Sequence, residues 1–180
     1  VPRDLVPGMI GGGLGNFAPG EWTDDTSQAV AIAQVAALGL DLRTPEALDA
    51  IAQGFMRWYA DDPADIGNQT AAVFSRVSRT PPGAEMAAAA RDLRHLHGRS
   101  AGNGSLMRTG PVVLAYLDDP AGLVEAAMAI SALTHYQDYA QEACAVVVDD
   151  SAHRGHGRVP DVRRRRALDA EYAGVARSAT

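Results

Sequence analysis

Apolar residues along this chain come in short, alanine-rich runs whose members return at spacings of three and four, cut by polar, glycine- and proline-bearing breaks. That period suits a helix with one buried face and not the two-residue alternation of a half-buried strand. With 47% hydrophobic but only 6% aromatic residues, the side chains suit helix packed on helix better than the faces of a β-sandwich. A length of 180 residues is enough for one domain with a substantial core. The expected fold class is all-α, roughly seven helices joined by polar loops, in a single domain without internal repeat or linker.

The element boundaries follow from local chemistry. Six glycines and three prolines in 1–20 predict a loop. A helix is expected over 26–38, with Ala29, Val30, Ala33, Ala36 and Ala37 as its recurring face and Gly39 as a left-handed stop. Thr44-Pro45-Glu46 predicts a strong helix start: threonine caps, proline has no amide to lose, and glutamate suits the positive end. That helix should run to about 59, followed by helices over 70–77 and 84–96, a buried one from about 111, and another over 121–132. The last is expected to start at Thr134, where Gln137 completes a capping-box arrangement.

Several function classes are disfavoured by composition. A formal charge of -6 argues against a surface built for nucleic acid. The one basic run, 163–166, lies among acidic neighbours and reads as a solvated helix face. No apolar window is long enough to span a membrane, and the first residues lack the pattern of a signal peptide, so the cytoplasm is the expected compartment. Cys144, the single cysteine, reads as core packing. His153 and His156 lack the further ligands a zinc site needs and read as an exposed loop.

Three stretches carry side chains suited to chemistry. Gly20-Glu21-Trp22-Thr23-Asp24-Asp25-Thr26 places a hydroxyl and two carboxylates where a loop enters a helix. Such oxygens suit magnesium, and they equally serve as caps and helix-dipole partners without a metal. Gly102-Asn103-Gly104-Ser105-Leu106-Met107-Arg108 combines small residues that admit close backbone approach with an arginine available for an anion. A phosphate can rest on such a turn, although an ordinary helix-helix connection explains it too, with Met107 in the core. Thr134-His135 places a lone histidine that is either structural or turned to a cleft. Asp65, in Pro63-Ala64-Asp65-Ile66-Gly67, is accounted for by a turn aspartate bonding its own backbone.

Taken in order, Trp-Thr-Asp-Asp-Thr, Asp-Ile-Gly, Gly-Asn-Gly-Ser-Leu-Met-Arg and Ala-Leu-Thr-His resemble the ADP-ribosylglycohydrolase family, which includes dinitrogenase reductase-activating glycohydrolases and J1-type crystallins. The resemblance covers about 11–145 and implies a compact orthogonal helical bundle. It implies removal of ADP-ribose from ADP-ribosylated protein side chains, often arginine, by a two-magnesium centre in which manganese can substitute. Thr23, Asp24 and Asp25 would be metal ligands, and Asp65, at the site edge, would join Asp24 and Asp25 in catalysis. Gly102, Asn103, Gly104, Ser105 and Met107 would line the ADP-ribose cleft, and His135 would help hold the substrate.

The stretch looks like the middle of a family member. The family's leading helix with its glutamate has no counterpart before Gly8, and Asp149-Asp150-Ser151 follows the histidine helix too directly to be the distal Asp-x-Asp-Thr/Ser ligand segment. Uncovered apolar faces are then expected to favour self-association. The alternative implied by the crystallin relatives is an inactive ADP-ribose-binding or structural protein.

Overall fold

The computed structural model describes residues 8–13, 15–98 and 102–155. Seven α-helices and one 3-10 turn follow in order: α1 (Asp24–Ala37), α2 (Pro45–Ala60), α3 (Asn68–Phe74), α4 (Gly83–His97), the turn Leu106–Arg108, α5 (Gly110–Ala115), α6 (Pro120–Ala132) and α7 (Asp138–Gly155). Among the described residues there is no strand, only an isolated antiparallel bridge between Gly12 and Phe17. None of the described helices is long and apolar enough to cross a membrane. The all-α expectation holds.

α1 packs against α2, α5 and the 3-10 turn, while α2 packs on α4 and α6 pairs with α7. The core they share holds Ile32, Leu42, Ile51, Phe55, Phe74, Met86, Leu123 and Ile130, all essentially inaccessible to solvent. α2 starts as its sequence requires, with Thr44 Oγ1 accepting from the Ala47 amide at 3.3 Å and Pro45 in the first turn. Asp119 caps α6 by accepting from the Gly122 amide at 2.9 Å.

Four expectations are corrected. The buried face of α1 is Gln28, Ala31, Ile32 and Val35, not the Ala29, Val30 and Ala33 row, which lies half-buried. Alanine recurs on both sides of this helix, so its spacing alone cannot choose a face; the larger Ile32 and Val35 do. α3 starts at Asn68, two residues earlier than the sequence pattern, and ends at Phe74, three residues earlier and well before the prolines. α7 starts at Asp138 and not at Thr134, whose hydroxyl is used elsewhere. It also runs through 151–155, where a loop is expected from the sequence. His156, the arginine run at 163–166 and Ser100 lie outside the described residues.

The α1–α2 connection is pinned to Tyr116. Its hydroxyl accepts from the buried Leu42 amide at 2.8 Å and donates to Asp41 Oδ1 at 2.7 Å. Asp41 is also held by Arg43, whose bonds, followed by that of Tyr116, keep its carboxyl well below the usual range. Tyr116→Phe strands the Leu42 amide and is expected to cost about 1–2 kcal/mol, read as a lowered urea midpoint at unchanged slope.

Candidate functional site

The N-terminus of α1 gathers four of the expected site residues. Thr23 is the N-cap in extended conformation, yet its side chain makes no capping bond. The Asp24 amide donates instead to Asp65 Oδ2 at 2.9 Å, from 41 residues along the chain. Asp65 is therefore the cap of a distant helix, in place of the local turn contact read from its sequence neighbours. The Asp25 amide donates to Asp24 Oδ1 at 3.0 Å, and Thr23 Oγ1 donates to Asp25 Oδ2 at 3.4 Å.

Three carboxylates thus share one helix end, and no ion pair to any of them is present among the described residues. The Asp24 carboxyl is pushed up to about 6, by burial first and then by the charges of Asp65 and Asp25. A folded-state value above the ordinary one means that ionised Asp24 works against folding. Its destabilisation grows as pH rises from about 4 to about 6 and is complete above that. Because Asp24 is partly solvated, the full shift is discounted for screening: Asp24→Asn is expected to stabilise the chain by about 1 kcal/mol at pH 7. Thermal melts at pH 4 and pH 7 check this, since the gain should fade at the lower pH.

As a cation site this end fits in kind but supplies one side only. Its donors are hard oxygens, and its crowded negative charge is what a divalent ion would relieve. Among the described residues, however, no three Asp, Glu, His or Cys side chains converge closely enough to hold a metal by themselves. A shallow depression of about 270 Å³ opens beside it, lined by Asp25, Thr26, Ala29, Val30, Ala33, Met107 and Pro111. Met107 is therefore half-buried at this depression and does not lie in the core.

The second group forms around His135. A Cβ on Gly102 would lie 3.1 Å from His135 Nε2 and 3.1 Å from Gln69 Oε1; one on Gly104 would lie 3.2 Å from His135 Cε1. The glycines are there because the turn runs directly over the imidazole. Asn103 is exposed between them, and its carbonyl accepts from the Leu106 amide at 2.9 Å. Ser105 faces inward, accepting from Ser131 Oγ at 2.8 Å and lying 3.4 Å from Cys144 Sγ, so only its backbone is available to a cleft. Cys144 is wholly buried, as a core cysteine should be.

Arg108 corrects the expectation of an arginine waiting for an anion. It is 0% exposed. Its Nη1 donates to Gln28 Oε1 at 2.6 Å, its Nη2 donates to Thr134 Oγ1 at 2.6 Å and to the Ile130 carbonyl at 3.3 Å, and its guanidinium stacks 4.4 Å above the Phe55 ring centre. It ties α1, the glycine turn and the end of α6 together. Gln28 and Gln69, which donates to the Thr134 carbonyl at 2.9 Å, are positioning residues that the sequence reading missed. The available signal was a glutamine on the face of α1 that also carries Ile32 and Val35.

A family model described as ADP-ribosylglycohydrolase matches residues 2–169. The chain belongs to the ADP-ribosylglycohydrolase family. The ADP-ribosyl-dinitrogen reductase glycohydrolase of Rhodospirillum rubrum is 32% identical over 142 residues, 76% of this chain and 42% of that protein. The ADP-ribosylarginine hydrolase Tri1 of Pseudomonas putida (strain GB-1) is 29% identical over 158 residues, 82% of this chain and 39% of that one. Among solved structures, an ADP-ribosylglycohydrolase-related protein complex aligns with a TM-score of 0.58 and 30% identity, covering 85% of this chain and 49% of its own. The chain spans less than half the length of these relatives, so what the described residues hold is compared with part of an ADP-ribosylglycohydrolase.

Proposed function

We propose that this chain carries one side of the active site of a magnesium-dependent hydrolase that removes ADP-ribose from ADP-ribosylated protein side chains, arginine first among them. The observation that carries this reading is the gathering of Asp24, Asp25 and Asp65 at the start of α1, with the Asp24 carboxyl pushed up to about 6 and no cationic side chain paired to the group among the described residues. It is supported by the two hydrolase relatives, whose names specify ADP-ribosylated dinitrogen reductase and ADP-ribosylarginine.

In this reading Thr23, Asp24 and Asp25 supply the hard oxygens that hold magnesium, and Asp65 fixes the first turn by holding the Asp24 amide. Magnesium bound there would orient the ribose hydroxyls and favour positive charge at the anomeric carbon. A carboxylate of the group activates water or assists the leaving group, as paired carboxylates do in glycoside hydrolysis. Gly102, Asn103 and Gly104 let the sugar-phosphate approach the backbone, with His135 beneath them and Met107 along the depression.

Calorimetric titration with ADP-ribose, with and without magnesium, tests this on the chain and on the double variant Asp24→Ala, Asp25→Ala. Binding is expected to require magnesium and to weaken at least ~100-fold in the variant, about 3 kcal/mol; release of free ADP-ribose from ADP-ribosyl-arginine then tests turnover. Binding indifferent to magnesium and without turnover would identify an inactive ADP-ribose-binding protein. A folded chain that binds nothing would overturn the proposal.

A further inference from the structure

The polar groups behind His135 form a connected chain whose hydrogens can be assigned. Arg108 Nη2 lies 2.6 Å from Thr134 Oγ1, and that same oxygen lies 2.8 Å from His135 Nδ1. Arg108 and Thr134 are 0% exposed and His135 is 2% exposed. A guanidinium has only hydrogens to offer, so Thr134 accepts from it. The hydroxyl hydrogen of Thr134 then needs an acceptor of its own, and Nδ1 is the one in reach. Were Nδ1 the donor, the threonine oxygen would accept twice and its hydrogen would be buried without a partner, a loss of about 1–3 kcal/mol.

The ring is neutral, its pKa held at about 3 by burial and then by the nearby Arg108 charge. A neutral imidazole carries one hydrogen, and with Nδ1 accepting, that hydrogen is on Nε2. Nε2 is the ring atom set against the glycine turn, 3.1 Å from a Cβ built on Gly102 and 3.3 Å from one built on Gly104. The Thr134 peptide is itself fixed, through the bond from Gln69 Nε2 to its carbonyl.

We propose that Thr134, held as an acceptor by Arg108, is a positioning residue that fixes His135 as the Nε2–H tautomer, with its donor turned to the Gly102–Gly104 turn. Such a donor serves only an acceptor: Gln69 Oε1, set against the same Gly102 position, and an oxygen of the kind a ribose or phosphate presents are of that class, and a ligand N–H is not. This last step rests on the turn being part of an ADP-ribose site; the tautomer does not.

Two-bond proton-nitrogen correlation of the ¹⁵N-labelled chain at neutral pH distinguishes the tautomers, with the His135 signals assigned by their loss in His135→Gln. The wild type and Thr134→Ser are expected to show Nε2–H with a hydrogen-bonded Nδ1, and Thr134→Val an Nδ1 resonance moved toward that of an imidazole nitrogen without a donor, with ADP-ribose affinity lowered about tenfold, roughly 1.4 kcal/mol. An Nδ1–H ring in the wild type, or an unmoved Nδ1 resonance in a folded Thr134→Val, would overturn the proposal. Should the valine variant fail to fold, the wild-type spectrum alone decides. A moved Nδ1 resonance with unaltered affinity would remove the positioning role, whereas a wild type that binds no ADP-ribose would sink the functional reading and leave the tautomer result standing.

Discussion

Replacing Arg108 by methionine is expected to destabilise the chain by about 3 kcal/mol and to lower its Tm by roughly 6–12 °C. Two effects oppose each other at this site. Burial penalises the guanidinium, pushing its pKa down to about 10, and among the described residues no carboxylate pairs with it. Removing a buried charge can therefore relieve a cost. Against this, the guanidinium makes charge-assisted bonds to Gln28 and Thr134 at 2.6 Å and covers the Phe55 ring. Methionine would strand both acceptors in the core, at about 1–3 kcal/mol each, and would leave the guanidinium's volume unfilled.

The stranded acceptors and lost volume outweigh the relief, because the arginine stays charged at neutral pH and its bonds are short. Denaturant unfolding of Arg108→Met decides the balance. A variant as stable as the wild type would show that burial of this cation costs as much as its bonds return. Arg108→Lys is expected to recover less than half of the loss, since one ammonium cannot reach acceptors on α1 and at the end of α6 in one plane.

How far the sequence could reach is visible in this same residue. Next to Leu106 and Met107, after a glycine turn, Arg108 reads as an exposed anion binder. Its actual partners come from 80 and 26 residues away, and no local pattern announces them. Asp65 fails for the same reason, its partner being 41 residues distant. Thr134 and Gln137 satisfy a capping-box spacing, but the buried arginine takes the threonine hydroxyl and the helix starts at Asp138. Where the determinants are local, the reading succeeds: Thr44-Pro45-Glu46 starts α2, and the expected spans of α4 and α6 are correct to within one residue at each end. The grouping of Thr23, Asp24 and Asp25 was legible because they are consecutive. The short distance from the glycine turn to His135 was not.

A further long-range determinant is Gly54, and Gly54→Ala should cost about 2 kcal/mol even though alanine favours a helix by ~1 kcal/mol over glycine. A Cβ at this position would lie 2.7 Å from the Ala31 Cβ and 3.5 Å from its Cα, so α2 crosses directly over the Ala31 methyl and backbone of α1, with Arg57 Nη2 in ordinary contact at 3.7 Å. Neither Ala31 contact can turn aside, and the only relief is to push the helices apart. α1 carries Asp24 and Asp25 at its start and Gln28 on its buried face, so a shift there also pulls on the Arg108 bonds. The reciprocal change separates close packing from propensity. Ala31→Gly alone loses helix propensity and a buried methyl, whereas Ala31→Gly combined with Gly54→Ala restores the crossing with the methyl moved to the other helix. The double variant should lie at least ~1 kcal/mol above the sum of the single losses. Simple additivity of the two would mean that the crossing tolerates both methyls and that α1 is held in place chiefly by its polar bonds to Arg108.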